Sequence, residues 1–395
     1  MKLWQKGTPL NKQVEAFTVG NDPLLDQKLV VYDCQASAAH VKMLGQIGIL
    51  TQREVEQLCR ELDQIAELSR QNQFQISPDQ EDCHTAIENH LTEKLGDLGK
   101  KIHTARSRND QVLTALRLYA KDELRACERL VKALISAIRA WVKKYGRVRF
   151  AGYTHTRKAM PTSVAMWGTA FVDAMKDNLK LLTVATTLID QSPLGTAAGY
   201  GVPLKLDRKL TAHELGFKRV QSNPIYAQHS RGKFESTVLH ALSQIMFDLN
   251  RIASDLIFFS LPEMGYFDLP TEFCTGSSIM PQKQNPDVLE LVRAKYHTLL
   301  SCELQLRTLT CNLISGYHRD MQLSKEPTLR GFETTRATLG IMALVFENLS
   351  VNAERCKQSL TGEIFATEKA YALVHQGVPF REAYRIIAEE CEKRD

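Results

Sequence analysis

The stretch FESTVLHALSQIMFDLNRIASDLIFFS, residues 234–260, decides the fold because its apolar side chains recur at alternating spacings of four and three residues. The recurring residues are Val238, Leu242, Ile245, Leu249, Ile252 and Leu256. An α-helix of about 3.6 residues per turn places side chains at these spacings on one face. The stretch therefore predicts a long helix that buries this face against other helices.

Three further stretches show the same alternation. The positions at these spacings are Val131, Leu134, Ile138, Trp141 and Tyr145; then Val164, Trp167, Phe171, Ala174 and the polar Asn178, continuing to Leu181 and Ala185; and, after Pro286, Leu289, Val292, Tyr296 and Leu299. Helices of this length need partners to cover their apolar stripes, and such stripes pack at shallow crossing angles. The pattern predicts a long central bundle, to which other subunits can contribute.

Glycine and proline residues divide the rest of the chain. Residues 1–104 are interrupted at short intervals, which predicts an N-terminal domain of shorter helices, and the bundle is assigned to residues 105–350. Residues 351–395, where Gly362, Gly377 and Pro379 mark turns, are predicted to form a C-terminal helical segment. Strand-like alternation is scarce, so we expect an all-α fold with a long central helical bundle flanked by two smaller helical domains.

Composition narrows the class of protein. A chain of 395 residues with 44% hydrophobic and 24% charged residues can bury a large core. The net charge is +5, but acidic residues are interleaved with the basic residues along the chain, which argues against a nucleic-acid partner. Residues 1–20 contain no signal-peptide core, and no uncharged apolar run is long enough to span a membrane. We therefore expect a cytoplasmic protein that does not bind membranes.

The nine cysteines are scattered and include no Cys-x-x-Cys pair. This usage is typical of reduced thiols and gives no indication of a zinc or redox site. Cys274 lies close to a motif described next, and we interpret it as a small buried residue rather than a nucleophile.

The strongest chemical motif is GSSIMPQKQNPD, residues 276–287. Paired serines, a lysine and an asparagine between glycine and proline residues predict a flexible loop that holds a potential base and a cation. A loop that only caps the following helix would need one serine or Asp287. That simpler reading leaves Met280, directly before Pro281, and Lys283, between Pro281 and Pro286, without an explanation.

Two further segments precede long helices. HTARSRNDQ, residues 103–111, offers hydroxyl, guanidinium and amide donors at a helix N-terminus near Asn109 or Asp110, an arrangement suited to carboxylates. Alone, it could equally be an exposed cap, and its basic residues a solvated loop. GYTHTRKAMP, residues 152–161, predicts a turn that carries Thr154 and His155, although a lone histidine is more often structural.

Together these segments resemble the fumarase and aspartase superfamily, and within it the argininosuccinate lyases. A fourth segment, YHRDMQLSK at residues 317–325, is similar to the part of that family's site that holds the arginine end. The resemblance extends from LWQKG at residues 3–7 to VPFREAY at 378–384 and covers nearly the whole chain. It implies elimination of argininosuccinate to fumarate and arginine in arginine biosynthesis, without a metal or a cofactor.

The resemblance also implies residue roles. Ser277 is the expected general base, Lys283 the cation that stabilises an aci-carboxylate, and His155, polarised by Glu290, the group that acts on the leaving nitrogen or holds the carboxylate. The expected contacts of the succinyl and carboxylate groups are Ser107, Arg108, Asn109 and Thr154, and those of the arginine end are Tyr317, Gln322 and Lys325, with His84 as a weaker candidate for the same pocket. The family further implies a homotetramer in which each site takes segments from three chains.

The sequence departs from the family pattern at several positions. Ala105 stands where glycine is usual and Gly20 where serine is frequent, while Thr156 and Arg157 replace a hydrophobic residue and glutamine. Leu323 and Ser324 stand where two acidic residues are common. Family chains usually continue for some dozens of residues past Asp395, which leaves open an incomplete C-terminal segment.

Two alternatives remain. Adenylosuccinate lyase, fumarase and aspartase share the loop at residues 276–287 but do not need Tyr317, Gln322 and Lys325 in this arrangement. Some lens crystallins are catalytically silent structural relatives, and an intact set of Ser277, Lys283, His155 and Glu290 argues against that reading.

Overall fold

The computed structural model describes residues 10–392, apart from the side chain of Pro78, so LWQKG at residues 3–7 and the last three residues lie outside the described part. The described chain is mostly helical, as the stripes predict. Its α-helices in chain order are α1 Lys12–Val19, α2 Asp22–Asp26, α3 Val30–Gln46, α4 Gln52–Arg70, α5 Cys83–Leu95, α6 Asp97–Lys100, α7 Arg108–Tyr145, α8 Val164–Ile189, α9 Arg208–Glu214, α10 Pro224–His229, α11 Lys233–Phe259, α12 Asp287–Leu309, α13 Lys325–Asn348, α14 Ala353–Gln358, α15 Ala366–His375 and α16 Phe380–Glu392.

Short 3-10 helices and strand pairs connect the α-helices. The 3-10 helices are Pro78–Gln80, Lys101–His103, Thr271–Phe273, Arg319–Ser324 and Gly362–Phe365. The strands are β1 Arg149–Thr154, β2 Arg157–Ser163, β3 Gln191–Ser192, β4 Arg219–Val220, β5 Phe267–Asp268 and β6 Ser350–Val351. They form the antiparallel pairs β1–β2 and β5–β6 and the parallel pair β3–β4.

The helical stripes lie where the sequence predicts them. In α11 the six stripe residues from Val238 to Leu256 are at most 1% exposed. In α7, Val131, Leu134 and Ile138 are fully buried, and α12 begins at Asp287, directly after Pro286. Among residues 10–392, no helix combines the length and the apolar character that crossing a bilayer requires.

The chain divides into two compact units. Unit 1 comprises residues 1–127, 181–242 and 299–333, and unit 2 comprises residues 128–180, 243–298 and 334–395. The boundaries between the units fall inside α7, α8, α11, α12 and α13, so each of these helices is divided between the two units. The three-domain division with boundaries at residues 104 and 350 stays a prediction.

Unit 1 is built around edge-to-face aromatic contacts and close helix packing. The Tyr119 ring of α7 lies 5.7 Å from that of Tyr32 in α3 and 5.8 Å from that of Phe332 in α13. Gly331 in α13 permits the close approach of two other helices, because a Cβ atom there would lie 2.5 Å from Leu239 Cδ2 and 3.1 Å from Leu299 Cδ1. Packing of this density positions the N-terminal turns that surround the cavity described below.

Unit 2 has its own aromatic core. The Trp141 ring lies 5.7 Å from Trp167, 5.4 Å from Phe267 and 5.7 Å from Phe346, and its indole N–H donates to the Leu349 carbonyl at 3.0 Å. The core supports two exposed features at which the predicted catalytic residues lie. These features are the β1–β2 hairpin and the loop before α12.

Candidate active site

Unit 1 contains a cavity of about 320 Å³. Its lining includes seven of the residues predicted to bind substrate, namely His84, Ser107, Arg108, Asn109, Tyr317, Gln322 and Lys325. Two separate motifs supply six of these residues, and His84 lies outside both, so the fold brings together groups that the sequence places far apart. The eighth predicted contact, Thr154, belongs to unit 2.

The turn before α7 holds Ser107, Arg108 and Asn109 in place. Ala105 has a φ of 62°, in the left-handed region that glycine adopts readily, which gives a physical reason for glycine being usual there. The Ser107 hydroxyl accepts a hydrogen bond from Asn109 N at 3.3 Å, and the Ser107 N–H donates to Asp110 Oδ1 at 3.0 Å. The capping role and the cavity-lining role therefore coexist in Ser107.

Asp110 fixes this turn to a second loop. Its carboxylate is fully buried, and Oδ2 accepts hydrogen bonds from the backbone N–H groups of Gly195 and Ala197, both at 2.9 Å. Burial raises the pKa of Asp110, and these backbone donors oppose the rise. The N-terminus of α7 is thus tied to residues 194–197, which limits its freedom to move.

Two arginines of the cavity wall, Arg108 and Arg319, pair with acidic residues that directly precede α5. Arg108 Nη2 lies 3.1 Å from Glu81 Oε1 and also pairs with Asp82, and Arg319 Nη2 lies 2.9 Å from the same Glu81 oxygen. Burial opposes the charged form of Arg108, but Asp82 and Glu81 outweigh it and raise the pKa of the guanidinium. Both arginines are thus held by carboxylates that directly precede α5.

The predicted arginine end of the cavity contains a buried ion triad. Lys325 Nζ lies 2.9 Å from Asp22 Oδ2 and 2.6 Å from Asp26 Oδ1. Beside it, Gln322 donates from Nε2 to the carbonyls of Thr18 at 3.0 Å and Val19 at 3.2 Å. Gln322 therefore secures the end of α1 as well as lining the cavity.

His84 is buried against Asp33. Its Nδ1 lies 3.1 Å from Asp33 Oδ2, and its Nε2 has no hydrogen-bond partner. Burial alone would lower the pKa of His84, but Asp33, Asp82 and Asp26 reverse the effect and raise it. The sequence prediction that His84 belongs to this pocket is consistent with its place in the lining.

One group of potential metal ligands occurs in the described chain. Ligand atoms of Asp26, Cys83 and His84 lie within 4.8 Å of one another. Asp26 is already paired with Lys325, and burial raises the pKa of the Cys83 thiol well above its ordinary value. An ammonium and a neutral thiol make the group a poor donor set for a metal cation.

In unit 2, the loop at residues 276–287 is closed at its base and surrounds Ser277 with donors. Thr275 and Asn285 exchange two backbone hydrogen bonds of 3.0 and 2.8 Å. Within the loop, Ser277 Oγ accepts hydrogen bonds from Ile279 N at 3.3 Å and Met280 N at 3.2 Å. The serine oxygen therefore faces two fixed N–H dipoles, which favour negative charge on it.

His155 lies at the tip of the β1–β2 hairpin. His155 and Thr156 form its two-residue turn with φ values of 52° and 58°, which are typical of a type I′ turn. The predicted turn is present, but a strand, β2, separates it from α8. The alternation in RKAMPTS is too short and too mixed in polarity to predict that strand.

The four predicted catalytic side chains do not form a hydrogen-bonded group within one chain. His155, Lys283 and Glu290 are exposed and Ser277 is half-buried. Over residues 10–392, no hydrogen bond or ion pair joins any two of these four side chains. Each is available to a group supplied from elsewhere.

Sequence reasoning missed several residues of the cavity. These are Asp22, Asp82, His103, Arg106, Val112, Arg231 and Arg319. Arg106 and Arg319 lie inside motifs that had been singled out, so their neighbours gave a signal. Asp22 and Arg231 lie outside every motif, and only the folded chain places them there.

Known proteins are similar to this chain over nearly its whole length. A family model described as Lyase matches residues 9–299. The argininosuccinate lyase of Thermotoga neapolitana is 54% identical over 389 residues, which are 98% of this chain and 98% of that protein. The argininosuccinate lyase of Sorangium cellulosum is 42% identical over 390 residues, covering 99% of this chain and 90% of that one.

Solved structures show the same fold. EDDS lyase in complex with formate superposes with a TM-score of 0.82 at 26% identity, covering 97% of this chain and 76% of that chain. Class II fumarase from Schistosoma mansoni has a TM-score of 0.83 at 15% identity, covering 96% and 89%. At 15% identity the likeness concerns the fold alone.

Proposed function

The chain belongs to the argininosuccinate lyase family, and from this membership we propose how its cavity and loops divide the work of a single elimination. The enzyme is a carbon–nitrogen lyase that splits argininosuccinate into fumarate and arginine. The observation that carries the assignment of the binding site is that six residues from two sequence motifs, together with His84, line one cavity. We assign substrate binding to that cavity and the chemical steps to the two exposed features of unit 2.

Ser277 is the proposed base. A proton on the succinyl carbon next to a carboxylate is weakly acidic, and a serine is a poor base unless its alkoxide is stabilised. The N–H groups of Ile279 and Met280 supply such stabilisation at 3.3 and 3.2 Å. The alkoxide takes the proton, and the electron pair left behind moves onto the carboxylate to give an aci-carboxylate.

Lys283 and His155 act on the charges that follow. The aci-carboxylate carries two negative charges, and the Lys283 ammonium stabilises it. Its electron pair then forms the carbon–carbon double bond of fumarate as the carbon–nitrogen bond breaks. His155, polarised by Glu290, gives a proton to the leaving guanidine nitrogen, which departs as arginine.

The cavity of unit 1 supplies recognition. Ser107, Asn109 and the charged Arg108 offer donors to the succinyl carboxylates, with Thr154 as a further contact from unit 2. Tyr317, Gln322 and Lys325 lie on the wall that we assign to the arginine end. His84 lines the same cavity with a free Nε2 and contributes to this binding.

A homotetramer with shared sites accounts for two further features. The proposed roles of His155 and Glu290 require a hydrogen-bond partner for each side chain. Residues 10–392 of one chain do not supply these partners. Large apolar side chains on the long helices remain exposed, among them Met166 at 70%, Val184 at 62%, Leu291 at 59% and Leu304 at 61%. Association of these faces would bury apolar area and bring loops of one chain to the cavity of another.

A substrate panel tests the proposed function. Purified protein should release fumarate, followed by its absorbance, from argininosuccinate and not from adenylosuccinate, malate or aspartate. Adenylosuccinate turnover at a higher rate would assign the chain to a sister activity. Failure to release fumarate from any of the four would favour a catalytically silent relative.

A further inference from the structure

The ion triad at the arginine end of the cavity carries more negative than positive charge. Lys325 is 3% exposed and lies within 3 Å of two carboxylates, those of Asp22 and Asp26, which are 8% and 0% exposed. One ammonium therefore faces two carboxylates, and the triad has an excess of one negative charge when all three groups are ionised. A buried charge in excess is costly unless a bound group neutralises it.

Only one of the two carboxylates is placed to meet a ligand. Asp22 lines the cavity, whereas Asp26 does not and is turned towards the protein, where its Oδ2 accepts from Cys83 N at 3.3 Å. Lys325 also lines the cavity. A ligand at this end therefore meets Asp22 and Lys325 side by side.

Positive charge in excess lies elsewhere on the wall. Arg231 is 1% exposed, its guanidinium carbon lies 5.3 Å from the centre of the Tyr317 ring, and its Nη2 donates to the Met321 carbonyl at 3.2 Å. Its Nε and Nη1 have no hydrogen-bond partner. The wall next to Tyr317 is thus electropositive, while the wall next to Asp22 is electronegative.

The free end of argininosuccinate on the arginine side is an α-amino acid, with an ammonium and a carboxylate on one carbon. We propose that Asp22 determines specificity for this end by binding the α-ammonium group, while the carboxylate turns towards Tyr317. The inference rests on the proposed function and adds to it the group that distinguishes an α-amino acid from other guanidino compounds. Removing a charged partner from a buried hydrogen bond costs roughly tenfold or more in affinity.

Ionisation of Asp22 makes the proposed binding of the α-ammonium group depend on pH. Burial is the main reason that its pKa is raised to about 6; Lys325 opposes the rise, and Asp26 and Asp82 add to it. The other charged or titratable groups that line the cavity are His84, His103, Arg106, Arg108, Arg231, Tyr317 and Arg319. Asp22 is ionised above this pKa and neutral below it, so affinity for an α-ammonium ligand should fall as pH falls through about 6.

The test compares two ligands that differ only in the ammonium group. Calorimetric titration of the whole protein with L-arginine and with 5-guanidinopentanoate, which lacks the α-amino group, measures the preference directly. The wild-type protein should prefer arginine by roughly tenfold or more, and Asp22→Asn should lose most of that preference. Asp122→Asn, an exposed carboxylate paired with Arg125 on α7, is the matched control and should keep it.

The outcomes separate this inference from the proposed function. Asp22→Asn that keeps the full preference, or that weakens both ligands equally, would overturn the role of Asp22. Asp22→Glu, which retains the carboxylate, should keep part of the preference. If Asp22→Asn does not fold, the wild-type preference must still decline through about pH 6, and a preference that is constant from pH 5 to 7.5 would refute the proposal. Fumarate release by the same wild-type preparation reports independently on the lyase function.

Discussion

Among single residues, Ser277 carries most of the chemical argument. Its hydroxyl oxygen accepts hydrogen bonds from two backbone N–H groups. The loop that holds it is closed at its base by Thr275 and Asn285. This geometry gives the serine a fixed, electropositive surrounding without any buried packing role. A change at this position should therefore affect the chemical step and little else.

We predict that Ser277→Ala folds normally and binds substrate, while kcat falls by orders of magnitude, because the variant loses the group that removes the proton. Circular dichroism, arginine binding and steady-state fumarate release measure the three properties. Ser278→Ala, in the same loop, is the control and should stay within a few fold of the wild-type rate. Turnover of Ser277→Ala near the wild-type value would eliminate the serine as base.

The sequence predicts many residues of the site and omits others for a physical reason. Ser107, Arg108 and Asn109 are recognisable because a helix N-terminus with donors is a local pattern. Asp22 is not, because its role depends on Lys325, which lies on a helix distant along the chain. The donors to Ser277 are backbone N–H groups, which every residue except proline carries, so the sequence does not identify them.

At the scale of elements, periodicity predicts helices far better than it predicts the hairpin. The stripe at residues 234–260 becomes α11, Lys233–Phe259, because burial of one continuous face selects both the helix and its length. The β1–β2 hairpin is held by its turn and by contacts such as Ala151 N to Ser359 Oγ at 2.9 Å. Contacts of that kind are tertiary and have no local period.

Two glycines of α13 offer a matched pair at this scale. A Cβ atom at Gly331 would meet the buried Leu239 and Leu299, whereas at Gly340 it would meet nothing within 4 Å. Gly340→Ala should raise the free energy of unfolding by up to about 1 kcal/mol through helix propensity. Gly331→Ala should lower it, because overpacking costs about 1–3 kcal/mol. Urea denaturation measures both, and effects of the same sign and size would refute the close packing inferred at Gly331.

Gln322 connects helix α1 to the binding cavity. It donates to the carbonyls of Thr18 and Val19 at the end of α1 while it lines the cavity. Gln322→Ala should raise KM for argininosuccinate more than it lowers kcat, since binding at the arginine end is nearly equal in the ground and transition states. An unchanged KM would mean that this wall does not contact the substrate.

At the scale of the whole molecule, different parts of the chain supply the binding cavity and the proposed catalytic groups. The binding cavity is built within unit 1, and the proposed catalytic groups lie on exposed parts of unit 2. Exposed apolar side chains along the long helices are consistent with association of several chains. The apolar stripes do not by themselves indicate such an assembly, because the α11 stripe is already buried within one chain. An interface between identical chains leaves no motif of its own.

Complementation between two inactive variants tests the shared site most directly. His155→Asn and Ser277→Ala, each inactive alone, are unfolded together in equal amounts and reassembled, and fumarate release is measured beside each variant reassembled alone. If His155 and Ser277 of one site come from different chains, about a quarter of all sites receive both intact residues and activity returns in that proportion. Mixed tetramers that form, as light scattering would show, and yet remain fully inactive would contradict shared sites, and a monomer at micromolar concentration would contradict the tetramer itself.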